Sequence, residues 1–223
     1  MQTAIIGLGN IGGTVATRLT AGGMDVIVSE RDLDKAQQFA SKLGSRAKVM
    51  PVGDAIKSAD IVVLAIWFDA IRELVAANPG AFAGKIVVDP SNPIAPDGKG
   101  GFKKTVAADQ SAGTIIASLL PRDAKLVKAF GTLGVQSLAS GANRTPEPAV
   151  LFYATDDSEA GSAVAKLIIA SGFSPFDVGG IDQSIRIEVG GDLHEFGKLG
   201  KLVSLGEAEQ LLGGQARRDN SQR

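Results

Sequence analysis

The sequence predicts an α/β fold: a doubly wound parallel sheet followed by a smaller α/β extension. Three observations point there. Short β-branched runs alternate with helical patterns from the first residues onward. The run "DIVVLAI" (60–66) is apolar throughout, as a strand covered on both faces must be. The stretch "GLGNIG" (7–12) follows the first strand-like run directly and opens a helix-like one.

The elements follow in order. "TAIIG" (3–7) reads as a strand, and a helix runs from about Ile11 to Ala21. "DVIVS" (25–29) is the second strand; the helix "DLDKAQQFASKL" (32–43) places Leu33, Ala36, Ala40 and Leu43 at helical spacing. "AKVMPV" (47–52) is a weaker strand and "DAIKSA" (54–59) a short helix before the buried strand at 60–66. A helix around 69–78 leads to the strand "KIVVD" (85–89), then to a Gly/Pro-rich loop (90–101). A helix near 111–119 precedes the strand "KLVKAF" (125–130). The extension reads as strand 149–155, helix 158–171, strand 175–179 and polar helical segments to about Leu212. These boundaries divide the chain into a nucleotide-binding unit (1–147), a small α/β segment closing a cleft (148–212) and a polar tail (213–223).

Gly7, Gly9 and Gly12 form the pattern G-x-G-x-x-G, and Glu30 lies 18 residues past Gly12 at the end of the second strand. Gly7 permits the tight turn, Gly9 lets the backbone approach a pyrophosphate, and Gly12 lets helix and strand pack closely. The helix N-terminus beyond them, with Leu8, Asn10 and Ile11, offers unpaired N–H groups to phosphate. This context identifies a Rossmann-type dinucleotide site.

Composition excludes several classes. The chain has no cysteine, which removes disulfides, thiolate nucleophiles and iron–sulfur ligation. A single histidine, His194, rules out a His-rich metal site, so no metal is expected. A net charge of −1 gives no general attraction to nucleic acid or anionic membrane. A core strand begins almost at once and no apolar run approaches a membrane span, so the expected setting is cytoplasmic.

Further stretches carry a family resemblance: "IIGLGNIGGTVATRLTAGG", "VLAIWFDAI" (63–71), "VVDPSNPI" (87–94), "VKAFGTLGVQSL" (127–138) and "SGFSPFDVGGI" (171–181). Together they resemble the F420-dependent NADP oxidoreductases, whose domain also occurs as the cytosolic part of membrane ferric reductases. The resemblance implies NADP(H), with NAD(H) as the other possibility, and hydride transfer between nicotinamide and F420 or a flavin-like acceptor. It implies that Ser29, Glu30 and Arg31 meet the adenosine ribose and that Ala65, Ile66 and Trp67 line the cleft. Asn92 and Pro93 would lie near the nicotinamide, with Gly131, Thr132 and Leu133 lending backbone to it and to the second substrate. It also implies a homodimer, which the apolar helix "AVAKLIIAS" (163–171) would support, while the same stripe suits intramolecular core equally. Two departures stand out: many relatives carry Asn or His where this chain has Gly131, and Trp67 and Phe68 stand where relatives often have Pro after a small apolar residue.

Transfer between two rings asks the protein only to hold them face to face and exclude water. A carbonyl or imine dehydrogenase would also need a proton donor, for which His194 is the candidate; Tyr153 and Asp89 read as structural. A non-catalytic NADP(H)-sensing module is the third reading. Lys99, Lys103, Lys104, Arg186, Lys198 and Lys201 are the cations available to an anionic F420 tail. At "SERD" (29–32) the signals conflict. Glu30 and Asp32 disfavour a 2′-phosphate, whereas the planar fork of Arg31 suits one.

Overall fold

The computed structural model describes residues 1–219 of the chain, with side chains through residue 213. The alternation becomes β1 (Thr3–Ile6), α1 (Asn10–Ala21), β2 (Val26–Ser29), α2 (Leu33–Leu43), β3 (Ala47–Val49), α3 (Val52–Ser58) and β4 (Ile61–Leu64). There follow α4 (Phe68–Ala77), β5 (Ile86–Asp89), β6 (Ile94–Pro96), β7 (Phe102–Lys104), α5 (Ala112–Leu119) and β8 (Lys125–Lys128). The last part holds α6 (Val135–Ser140), β9 (Val150–Tyr153), α7 (Ser158–Ala170), β10 (Ser174–Asp177), α8 (Ser184–Ile187) and α9 (Leu205–Asp219).

The main sheet has six parallel strands in the order β3-β2-β1-β4-β5-β8. This is the Rossmann order, with its reversal between β1 and β4. Strand side chains alternate between two cores. Ile5 and Val63 face one with Val15 and Leu19 of α1, while Ala4 and Val62 face the other with Ile71 of α4 and Ile116 of α5. Burial on both faces explains the unbroken apolar runs.

The extension joins this core rather than standing apart. β9 pairs in parallel with β10, and an antiparallel bridge from Ala154 to Lys128 attaches it to β8. Val164, Leu167 and Ile168 of α7 pack into the core that α1 fills, leaving Ile169 exposed. Of the two readings of this apolar stripe, intramolecular core is the one that holds for most of it.

Four segments differ from the sequence reading. The loop at 90–101 contains β6, which pairs antiparallel with β7. α6 was not expected. Residues 188–204 form turns rather than helix, and α9 continues through Asp219 into the stretch read as a polar tail. Residues 220–223 of that tail lie outside the described residues. Among the described residues no helix is long and apolar enough to cross a membrane, and no cluster of side chains could hold a metal.

Candidate functional site

The site forms at the reversal point, where β1 and β4 end side by side. Gly7 leaves β1 with φ +92, a conformation that suits glycine. A Cβ there would lie 2.5 Å from the Ala65 carbonyl oxygen and 2.5 Å from Ile66 Cγ2. Ala65 and Ile66 thus pack directly on the glycine turn. At Gly12 a Cβ would sit 1.9 Å from the Gly7 carbonyl oxygen, so only glycine lets α1 approach the turn. A Cβ at Gly9 would meet nothing within 4 Å, leaving open the face a pyrophosphate would use. Asp32, Ser111 and Asp157 cap α2, α5 and α7 through their side chains. Gly9 gives α1 no such cap, so its first turn keeps N–H groups for an anion.

A cleft of about 520 Å³ opens beside this turn, bounded by Leu8, Gly9, Glu30, Arg31, Lys35 and Lys42 among others. Glu30 points inward: Oε2 accepts from the Leu8 amide at 3.1 Å and Oε1 from the Arg31 amide at 3.0 Å. Arg31 is exposed on the rim. Ser29, expected at the cofactor, is instead fully buried and donates to the Met50 carbonyl at 2.7 Å. Its role is to tie β2 to the end of β3.

The loops after β5 and β8 form the other side. Asn92 Oδ1 accepts from the Val189 amide at 2.7 Å, and Nδ2 donates to the Gly131 carbonyl at 3.1 Å. Both ends of the Asn92 amide are thus engaged within the protein. Pro93 is buried beside it. Gly131 lies against Pro90, where a Cβ would be 2.4 Å from the carbonyl oxygen. This contact accounts for glycine at a position where an Asn or His would need the loop to move. Phe130 just before it is a buried non-glycine residue at φ 64, a strained conformation held by its surroundings. Thr132 and Leu133 are buried, and the Thr132 carbonyl accepts from the Glu195 amide. The Gly131 carbonyl thus meets Asn92 and His194, and the Thr132 carbonyl meets Glu195.

Residues 2–93 match the family described as "NADP oxidoreductase coenzyme F420-dependent". The rat metalloreductase STEAP3 is 29% identical over 187 residues, covering 84% of this chain and 36% of that protein. The F420-dependent NADP reductase of Methanothermobacter thermautotrophicus is 33% identical over 102 residues, 42% of this chain and 44% of the relative. The crystal structure of the hypothetical protein SMa0349 from Sinorhizobium meliloti superposes with a TM-score of 0.80 at 31% identity, covering 92% of this chain and 95% of that one. The likeness to the F420-dependent NADP oxidoreductases is carried by residues 2–93. The chain spans less than half the length of the two curated relatives described above.

His194 is not placed as a proton donor. It is buried, its Nδ1 accepts from the Phe196 amide at 2.8 Å, and Nε2 lies 3.0 Å from the Gly131 carbonyl. With Nδ1 accepting, Nε2 carries the proton and donates, so neither nitrogen is left for a substrate. Burial holds its pKa below the ordinary 6.5, against the opposing pulls of the Gly131 carbonyl and Glu195. As pH falls, the unfolded chain takes up this proton first. The corresponding stability is present above about pH 6.5 and is lost as pH drops through the folded-state value. Thermal melts of wild type should therefore show a falling melting temperature below pH 6.5 that His194→Gln lacks. A parallel fall in the variant would remove this residue as the cause. Tyr153 is also core: burial, with Asp177 nearby, raises its pKa above the ordinary 10.

The six candidate cations divide. Arg186 forms a bidentate pair with Asp192 at 2.8 Å, Lys201 pairs with Glu207 at 2.6 Å, and Lys104 donates to the Ala108 carbonyl. Lys99, Lys103 and Lys198 are exposed.

The sequence reading gave Asp89 a structural role beside this loop but missed its partners. Lys128, buried at the end of β8, lies in register with Asp89 and donates to Asp89 Oδ2 at 2.9 Å. It also donates to the Ser91 carbonyl and approaches Glu188 Oε1 at 3.5 Å. Asp89 Oδ1 accepts from the Ser91 amide, while Glu188 accepts from the Ala112 and Gly113 amides of α5. Glu195 likewise crosses from the extension to accept from the Gly134 amide and the Ser137 hydroxyl. A signal existed for Lys128 and Asp89, since charges closing two apolar strands at matching positions need partners. None marked Glu188 or Glu195, which arrive from distant turns.

Proposed function

We propose that the chain is an oxidoreductase dependent on a nicotinamide dinucleotide, passing hydride between the nicotinamide and coenzyme F420 or a flavin-like acceptor. The observation carrying this reading is the glycine turn at the sheet reversal, with Gly9 open and the first turn of α1 uncapped. These residues fit a pyrophosphate. When bound, the nicotinamide supplies the hydride; the chain's own work is to hold, orient and exclude water. Leu8, Gly9 and the start of α1 hold the nucleotide, and Ala65 and Ile66 wall the turn. The loops bearing Asn92, Pro93, Gly131, Thr132 and Leu133 set the nicotinamide end.

A ring acceptor is favoured over a carbonyl because the side chains at that end best suited to deliver a proton are engaged internally, although the buried Ser91 and Thr132 hydroxyls have no partner. His194 and Asn92 bond to main chain, and Lys128 to Asp89, leaving none of them as donor to an alkoxide. Trp67, 64% exposed beside Ile66, offers a planar face against which a second ring could lie. Lys99, Lys103 and Lys198 could meet an anionic tail. In this reading residues 148–212 close the cleft, the setting is cytoplasmic and the protein is a homodimer, which light scattering measures.

The test is oxidation of NADPH and of NADH by the purified protein with F420, FMN, a ferric chelate or a cyclic imine as acceptor. Turnover with F420 or FMN is expected. Turnover with the imine alone would replace this reading by an imine dehydrogenase. Tight nucleotide binding with no acceptor reduced would make the chain an NADP(H) sensor.

A further inference from the structure

We infer that this chain takes NAD(H) in preference to NADP(H) and that Glu30 sets the preference, an inference that rests on the dinucleotide reading above. Glu30 follows β2 and faces the cleft with both oxygens already seated on main-chain amides, those of Leu8 and Arg31. The NADP-binding alternative needs Glu30 turned outward and Arg31 inward. The geometry has Glu30 inward, and turning it out would strip an acceptor from two amides at once.

A carboxylate so placed favours a free ribose. Each oxygen has a second lone pair, so Glu30 can accept from the hydroxyls of a diol while keeping both amides. A 2′-phosphate has no proton to donate at neutral pH and brings about −1.5 to −2 of charge towards a half-buried anion. The cations of the cleft compensate poorly. Lys35 is paired with Asp32 at 3.5 Å, and Asp32 in turn caps α2. Arg31 and Lys42 are exposed, where water and salt screen their pull. This departs from the nucleotide in the family's description, and the departure lies in one side chain.

Calorimetric titration of NADH and NADPH into wild type and Glu30→Ser tests the inference without any acceptor. Wild type should bind NADH at least about tenfold more tightly than NADPH. Glu30→Ser should narrow or reverse that ratio by about tenfold, tightening NADPH and weakening NADH, with a modest fall in melting temperature from the two amides it frees. Because Glu30 is only half-buried, at the wall of the cleft, the variant should fold. Glu30→Gln, which keeps the shape without the charge, should tighten NADPH as well. Wild type binding NADPH as tightly as NADH would overturn the inference, as would a ratio unmoved by Glu30→Ser. Failure of wild type to bind either nucleotide would instead remove the dinucleotide reading, and the preference with it.

Discussion

Replacing Lys128 with methionine should cost about 3–5 kcal/mol of stability, because it leaves a buried carboxylate without its countercharge. Asp89 has no exposed surface; besides Lys128, its hydrogen-bond partner is the Ser91 amide. Glu188 is better protected, since two amides of α5 remain to it. For a chain of this size the melting temperature should fall by on the order of 10 °C. The loss should be largely electrostatic. Lys128→Met combined with Asp89→Asn should therefore cost clearly less than the two single changes added together. Additive losses would mean that Lys128 contributes packing alone. Lys128 also holds the Ser91 carbonyl, so the single variant should loosen the loop bearing Asn92 and impair turnover beyond the loss of folded protein.

The second large effect separates two glycines of one motif. Gly12→Ala should destabilise the protein by several kcal/mol even without nucleotide, since its Cβ would enter the Gly7 carbonyl, a main-chain atom that cannot step aside. Gly9→Ala should leave the free protein nearly unchanged. Gly9 has φ −68 and ψ −161, which alanine adopts, and the added methyl meets no protein atom. It projects instead into the space open to the pyrophosphate and should weaken nucleotide binding by about a hundredfold. Melting curves and titrations of both variants decide the matter. A Gly9→Ala protein that binds as wild type does would place the pyrophosphate elsewhere.

Much of this fold is legible along the chain because its signals are local. The apolar runs ending at Ile6, Ser29, Leu64 and Asp89 announce strands covered on both faces, and the spacing of Gly7, Gly9 and Gly12 marks the turn between β1 and α1. The missed elements are held from a distance. β6 and β7 pair through strands of only three residues with no apolar alternation, and α6 begins at a glycine whose amide is capped by Glu195. The turns of 188–204 close by backbone contact, with Gly197 packed on the Gly191 carbonyl, and the residue types there read as polar helix.

The sequence by itself determined the parallel sheet, the glycine turn at its reversal and the pairing of Glu30 with Arg31 at the tip of β2. Those follow from periodicity and from the backbone freedom that glycine alone supplies. Only the tertiary structure decided which way Glu30 faces, that Ser29 and His194 are turned to main chain, and that Lys128 joins Asp89 to Glu188. Each of these is a contact between residues distant in sequence, settled by where buried polar groups find partners. Residue type can state that need, but the partner is chosen by the fold.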